Sequence, residues 1–389
     1  MNPPLLKIVH VAPRIASGGG IETLLAWHRQ TDAAAGLEAW QLALFDRTAD
    51  APEVRSLSLR SGWRDSLRTL RRKFACALAA HPGAMVVYHN GWGLPLFGDV
   101  DRAARRFIYL HAGPAYLQPL LPALRGWGDG VVGINRDCLA AARAAWPGFD
   151  AARQCRLLAP VAPPTGGKRK RAAASDEFVL GFAGRLERVH KRVDRLPLLV
   201  EELARQGLRV HCEVLGDGPW RRRLERICGD RVVFHGWKTG RDYWAALERW
   251  DAMVFFSDTE GGPLAMVEGM AAGVIPFFPA IGGSLGDEYA PQLDRRCHYP
   301  PGDMAALGRA LAAVMAEPAE ARAALVARGR ALAARHGADD FGREFAAFVR
   351  RVDAEPRVSR GAVPRRQPRW ADWLPLGFIS RFLPGALLR

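Results

Sequence analysis

Cysteine is scarce in this chain and poorly placed for chemistry. The six residues, Cys76, Cys138, Cys155, Cys212, Cys228 and Cys297, form no CxxC and no close pair. That spacing excludes zinc knuckles and dithiol redox motifs and fits inert, buried thiols in a reducing compartment. Lysine is scarcer than the charge suggests: six of 55 basic residues are Lys, against 40 acidic residues and a formal charge of +15. An arginine excess in an Ala-, Gly- and Pro-rich chain is partly coding background, so its clustering matters more than its sum. Clusters fall at Lys168 to Arg171, at Arg221 to Arg223, and from Arg351 to Arg389, where eight arginines face three acidic residues. Any uncharged apolar run of roughly eighteen residues is also lacking, and MNPPLLKIVHVAPR lacks a signal-peptide layout. The expectation is a cytoplasmic protein without a membrane span.

What is present is alternation. Of the 389 residues 49% are hydrophobic, enough for two packed cores. LLKIVHVA, AWQLALF, AMVVYHN, RFIYLHAG and GVVGIN are short, nearly continuous apolar runs. Such runs suit parallel strands covered on both faces, and helical stretches such as IETLLAWHRQTDAAA lie between them. After a Pro-, Gly- and charge-rich stretch the cycle resumes with FVLGFAG, RVHCEVLG, VVFHG, AMVFF and VIPFF, and Ala-rich helical sequence fills 303–352. The fold class expected is α/β, with two doubly wound Rossmann-like domains facing across a cleft. Its parts are a first Rossmann-like domain over 1–160, a linker over 161–177 and a second Rossmann-like domain over 178–340. A helix returning to the first domain, with a basic aromatic tail, occupies 341–389. Pro197 interrupts one helix or lies in its first turn.

Ligands in such folds sit beside the loops that follow strand C-termini, and several residues fall there. In SDTEGGPLAMVEGM, Glu260 follows a strand, Gly261 and Gly262 permit close approach, and Pro263 suits the first position of a helix with Leu264 behind it. Glu268 then lies about one turn inside, and the two carboxylates suit vicinal hydroxyls of a sugar and a ribose. As plain helix charges both also read as structural. Arg185 and Lys191 supply a fork and a point charge for a diphosphate, or simply a solvated basic loop. Gly216 in the turn GDGP and Phe234 before His235 and Gly236 suit a nucleobase edge, though ordinary turns read the same way. SGGGIETLL lacks G-x-G-x-x-G spacing, which argues against a nicotinamide site. Asp99-Val-Asp101 superficially matches a metal-binding D-x-D, but helix capping is the preferred reading.

In their order and register these pieces resemble the second domain of retaining family 4 glycosyltransferases of the GT-B fold. The resemblance rests on Gly184-Arg185-Leu186 with Lys191, Gly216-Asp217-Gly218-Pro219, Phe234-His235-Gly236, and Glu260 with Glu268, and it spans roughly 178 to 350. It implies a donor site with Gly216, Phe234, Gly261, Gly262, Pro263, Leu264 and Glu268, with Glu260, Arg185 and Lys191 acting on sugar and phosphate. In the first domain Gly19, Gly20 and Glu22 resemble the family's G-G-x-E loop, and His111 resembles its active-site histidine. His89 is the rival histidine and, with Glu22, is assigned to the acceptor.

The activity implied is transfer of a sugar from a nucleotide diphosphate to a glycan or lipid-linked acceptor, with retention of configuration. Arg185, Lys191 and a helix N-terminus neutralise the leaving phosphate, so neither a cofactor nor a metal is expected. Domain closure about the linker would exclude water. RWADWLPLGFISRFLPGALLR, with Trp370, Trp373, Phe378 and Phe382, suits an anionic membrane surface or a tail packed back on the first domain. No nucleic-acid partner is expected. A nucleotide-sugar epimerase of the same fold and a non-catalytic basic binding protein are the alternatives.

Overall fold

A computed structural model describes residues 5–15, 20–46, 55–62, 64–111, 113, 117–162, 177–260, 262–358 and 373. Gly19, Gly261, the Lys168 to Arg171 cluster and the tail beyond 358, apart from Trp373, lie outside the described residues. The chain divides into two compact units, residues 1–160 with 338–389 and residues 161–337.

The first unit is built on a parallel seven-stranded sheet. Its strands are β1 (Leu6–Ala12), β2 (Leu37–Ala43), β3 (Ser56–Ser58), β4 (Met85–His89), β5 (Arg106–Leu110), β6 (Gly130–Gly133) and β7 (Gln154–Arg156), in the spatial order β3-β2-β1-β4-β5-β6-β7. Every residue of β4, β5 and β6 is buried, which accounts for apolar runs without alternation. On one face α2 (Leu67–Ala79) packs Leu70, Phe74 and Leu78 against Val9, Val11 and Val86, with the short turn α3 (Leu94–Phe97) and α4 (Arg136–Ala145) alongside. The other face is covered by α1 (Gly20–Thr31) and by a helix from the far end of the sequence, Ala338–Ala354. That helix lays Phe341, Phe345, Phe348, Val349 and Val352 onto Ile8, Val87, Phe107 and Tyr109.

The second unit repeats the plan with a parallel six-stranded sheet: β8 (Phe178–Ala183), β9 (Val210–Leu215), β10 (Val232–Gly236), β11 (Ala252–Val254), β12 (Ile275–Pro279) and β13 (His298–Tyr299), ordered β10-β9-β8-β11-β12-β13. Its helices are α5 (Leu196–Arg205), α6 (Arg221–Cys228), α7 (Gly240–Leu247), α8 (Leu264–Ala272), α9 (Met304–Met315) and α10 (Ala319–Ala333), so that Ala338–Ala354 is α11. Pro197 lies in the first turn of α5, where its missing N–H is no loss. The α/β class with parallel, doubly wound sheets is thus observed in both units. No described helix is long and apolar enough to cross a membrane.

Candidate active site

In the second unit the candidate residues gather on the loops after β8, β9 and β11. Backbone bonds tie two of these loops together: Gly184 N–H donates to Leu215 O at 2.9 Å, and Leu186 N–H donates to Asp217 O at 2.9 Å. The contact is so close that a Cβ on Gly216 would come within 1.9 Å of Gly184 O, and Gly216 has φ +144°. Glycine at 216 is therefore demanded by the neighbouring loop, whatever ligand approaches it. Phe234 is half-buried and packs against the core of this unit.

Lys191 Nζ donates to Glu260 Oε1 at 2.7 Å, and the same oxygen accepts from Ser257 Oγ at 2.6 Å. The structure thus joins the cation assigned to phosphate to the carboxylate assigned to the sugar. Arg185 remains largely exposed, with Glu187 at 4.0 Å. Sequence reasoning passed over a second charged group at this edge. Arg192, in the left-handed region at φ 46°, reaches Asp258 and Asp194, while Arg195 Nη1 lies 2.6 Å from Asp258 Oδ1. Only an arginine-rich loop preceding a helix hinted at it.

The helix after Glu260 starts one residue later than its sequence suggests. Pro263 is the residue before α8, buried and with φ −81° and ψ 66°, and Leu264 is the first helical one. Gly262 is exposed. Glu268, a turn further in, accepts from Tyr243 Oη at 2.6 Å, and Tyr243 was another residue missed. Burial pushes the Glu268 carboxyl above its ordinary range, opposed by that hydrogen bond.

In the first unit Gly20 opens α1, and a Cβ there would meet no atom within 4 Å, so packing does not require glycine. Glu22 lies half-buried in the same first turn. Four histidines and one aspartate form a hydrogen-bonded network in this unit. His111 Nε2 is 2.7 Å from His89 Nδ1, His89 Nε2 is 3.0 Å from His10 Nδ1, and His10 Nε2 is 3.2 Å from Asp32 Oδ2. The other Asp32 oxygen is 3.0 Å from His28 Nδ1. His89 is fully buried with both ring nitrogens engaged, so its assignment to an acceptor is corrected: it stands behind His111. Burial and the neighbouring rings lower His111 to about 3 and His89 well below the usual histidine range. Burial, with His28 adding to it, lowers His10 to about 4. Burial alone would raise Asp32, but the charge of His28 and the hydrogen bonds from His10 and His28 bring it down to about 2.

These directions predict a pH dependence. Rings whose folded pKa lies below the unfolded value of about 6.5 bind fewer protons folded than unfolded as pH falls, so stability drops from near pH 6.5 downward. The urea midpoint of the wild type should fall between pH 7 and pH 5, and His89→Phe, if it folds, should show a shallower slope. A flat profile would show that the rings charge freely.

The capping expected of Asp99-Val-Asp101 is overturned. Asp101 is buried and takes both Arg106 Nε at 2.7 Å and Nη2 at 2.6 Å, together with Tyr88 Oη at 2.7 Å, while Asp99 pairs with Arg71 at 2.6 Å. A cavity of about 1070 Å³ lined by Arg71, Cys76, Asp99 and Arg102 adjoins this pair. It lies by the start of β4, at the opposite end of that strand from His89. Among the described residues one group, His10, His28 and Asp32, has the makeup of a metal site. Both Asp32 oxygens there already accept from the two rings, the pattern of a hydrogen-bonded network.

Residues 167–332 match the family model described as glycosyl transferases group 1. No curated protein matches the chain by sequence. Among solved structures, Anabaena HepE in complex with UDP and glucose is similar at 16% identity and a TM-score of 0.69, over 89% of this chain and 99% of that one. Sucrose-phosphate synthase from Thermosynechococcus elongatus is similar at 21% identity and a TM-score of 0.70, over 90% and 99%. The lipopolysaccharide outer core galactosyltransferase WaaB is similar at 17% identity and a TM-score of 0.64, over 89% and 100%. The stretch 167–332 therefore matches the group 1 glycosyl transferases by sequence, and the chain as a whole has the two-domain α/β fold of solved GT-B glycosyltransferases.

Proposed function

We propose that the protein is a retaining glycosyltransferase of the family 4 type that moves a sugar from a nucleotide diphosphate to a glycan or lipid-linked acceptor. The observation that carries this reading is the grouping of Lys191, Ser257 and Glu260 at one strand edge, followed directly by the start of α8 with Glu268 inside it. As the glycosidic bond breaks, negative charge grows on the leaving diphosphate. Lys191, Arg185 and the positive end of the α8 dipole are the groups to meet it. Glu268, held by Tyr243, accepts from ribose hydroxyls, and Glu260 from those of the sugar. To the first unit we assign His111, for the reacting end of the sugar, and Glu22, for the acceptor. Enough fixed positive charge is present for a metal to be unnecessary. HepE was solved with UDP and glucose, which supports a nucleotide-diphosphate sugar as donor, and WaaB is a lipopolysaccharide outer core galactosyltransferase, which supports a cell-surface glycan as product. The basic aromatic tail suits an anionic membrane bearing such an acceptor.

Calorimetry with UDP, GDP and ADP, with and without magnesium, tests the donor site. One nucleotide should bind with micromolar affinity independently of magnesium, and Glu268→Ala should weaken it by about tenfold or more, the loss expected for a hydrogen bond to a charged group. Binding of none of the three would sink the donor-site assignment.

A further inference from the structure

We propose that Asp32, His10 and His89 are positioning residues that set the tautomer of His111, so that it presents Nδ1 as a hydrogen-bond acceptor. An ionised carboxylate only accepts, so the two rings that touch Asp32 donate to it, His10 through Nε2–H and His28 through Nδ1–H. A neutral imidazole has a single N–H, so His10 Nδ1 is an acceptor and takes Nε2–H of His89 across 3.0 Å. By the same step His89 Nδ1 takes Nε2–H of His111 across 2.7 Å. The bonds all run one way, from His111 inward to Asp32, and each polarises the next. What remains on His111 is a bare Nδ1, which can accept from a substrate hydroxyl and cannot donate to a phosphate.

The surroundings hold the ring as well as its proton. Tyr109 stacks on His111 with centroids 4.3 Å apart and 20° between planes, and on His89 at 5.2 Å and 22°. The His111 backbone N–H donates to Asn90 Oδ1 at 2.7 Å, and buried Asn90 has φ 52°. At the inner end His28 packs edge-on against Phe345 at 4.6 Å, so α11 closes the network off. Burial of His10 and His89 keeps them neutral, as the argument requires. The positioning role rests on the reading of His111 as an active-site group, whereas the tautomers follow from the hydrogen-bond geometry and the neutrality of the buried rings.

Long-range proton–nitrogen correlation spectra of the full chain labelled with ¹⁵N-histidine, at pH 7, test the proposal without any variant. His10, His89 and His111 should carry the proton on Nε2 and His28 on Nδ1. A proton on Nδ1 of His111, or rapid averaging between its nitrogens, overturns it. In Asp32→Asn the amide can donate or accept, so His111 should become a mixture of tautomers. Turnover of UDP-glucose, GDP-mannose and ADP-glucose is then compared with wild type, and kcat for the donor used should fall about tenfold, as for other outer-shell partners, with KM unchanged. An unchanged tautomer in the variant overturns control by Asp32. Correct tautomers with an unchanged kcat overturn the positioning role alone, and loss of nucleotide binding would instead concern the donor site. If Asp32→Asn does not fold, the wild-type spectra still decide.

Discussion

Replacing Asp101 by alanine should lower the unfolding free energy by about 3–5 kcal/mol, the range for breaking a buried ion pair from one side. Asp101 is 4% exposed and Arg106 3%. Arg106 presents Nε and Nη2 to both oxygens of Asp101, and its Nη2 also donates to Gly98 O at 2.7 Å. Without the carboxylate a guanidinium stays charged in the core, and Tyr88 Oη and Ala103 N–H both lose their acceptor. Asp99→Ala should cost less, about 1–2 kcal/mol, because Arg71 is nearer solvent and also donates to Leu96 O. Urea titrations followed by tryptophan fluorescence give both values. This result also separates structure from metal chemistry in the D-x-D. A loss below about 1 kcal/mol for Asp101→Ala, with a magnesium-dependent melting temperature in the wild type that the variant lacks, would return the pair to the role of metal ligands.

The contrast between Asp101 and His111 shows what could be read from sequence. Both follow or precede recognisable strands, and strands buried on both faces announce themselves as unbroken apolar runs such as MVVYH and RFIYL. The runs missed were β3, SLS, and β7, QCR, at the two edges of the first sheet, and β13, HY, at one edge of the second, none of which has such a signature. Residues on loops after strands were legible because the fold class alone says where loops fall, hence Lys191 and Glu260, with Glu268 in the helix that follows. Pairings were not. His10 and His89 are 79 positions apart and meet only because β1 lies beside β4, with His10 opposite Val87. His28 and Asp32, at helical i,i+4 spacing, were the local clue, and His10 in an otherwise apolar strand was another. Three histidines near the C-terminal ends of strands that prove adjacent, β1, β4 and β5, form a line only once the strand order is known. Asp101 failed for the converse reason: its partner Arg106 is close in sequence but belongs to a strand whose first residue is charged, which reads as a helix end.

Lys191→Met and Glu260→Gln should each reduce donor turnover about 100-fold, the size typical of losing one group that stabilises transition-state charge. The double variant should lose little more than either single one. The reason is the direct contact at 2.7 Å: Glu260 orients Lys191, and Lys191 with Ser257 holds Glu260. Once one is gone the other has lost its geometry, so the effects do not add. Independent action would give about 10,000-fold in the double variant, and the difference, a further factor of about 100, corresponds to a coupling of about 2.7 kcal/mol. Stability should fall by about 1–3 kcal/mol in Lys191→Met, because the Glu260 side chain is largely buried and keeps only Ser257 as a donor. Steady-state kinetics on the four proteins, with the nucleotide selected by calorimetry, supply the cycle. Full additivity would mean that the pair separates when donor binds, leaving Lys191 to the phosphate and Glu260 to the sugar as the residues alone suggest. Strong coupling would mean that the pair acts as one device, the carboxylate aiming the cation at the diphosphate while its second oxygen stays available to the sugar.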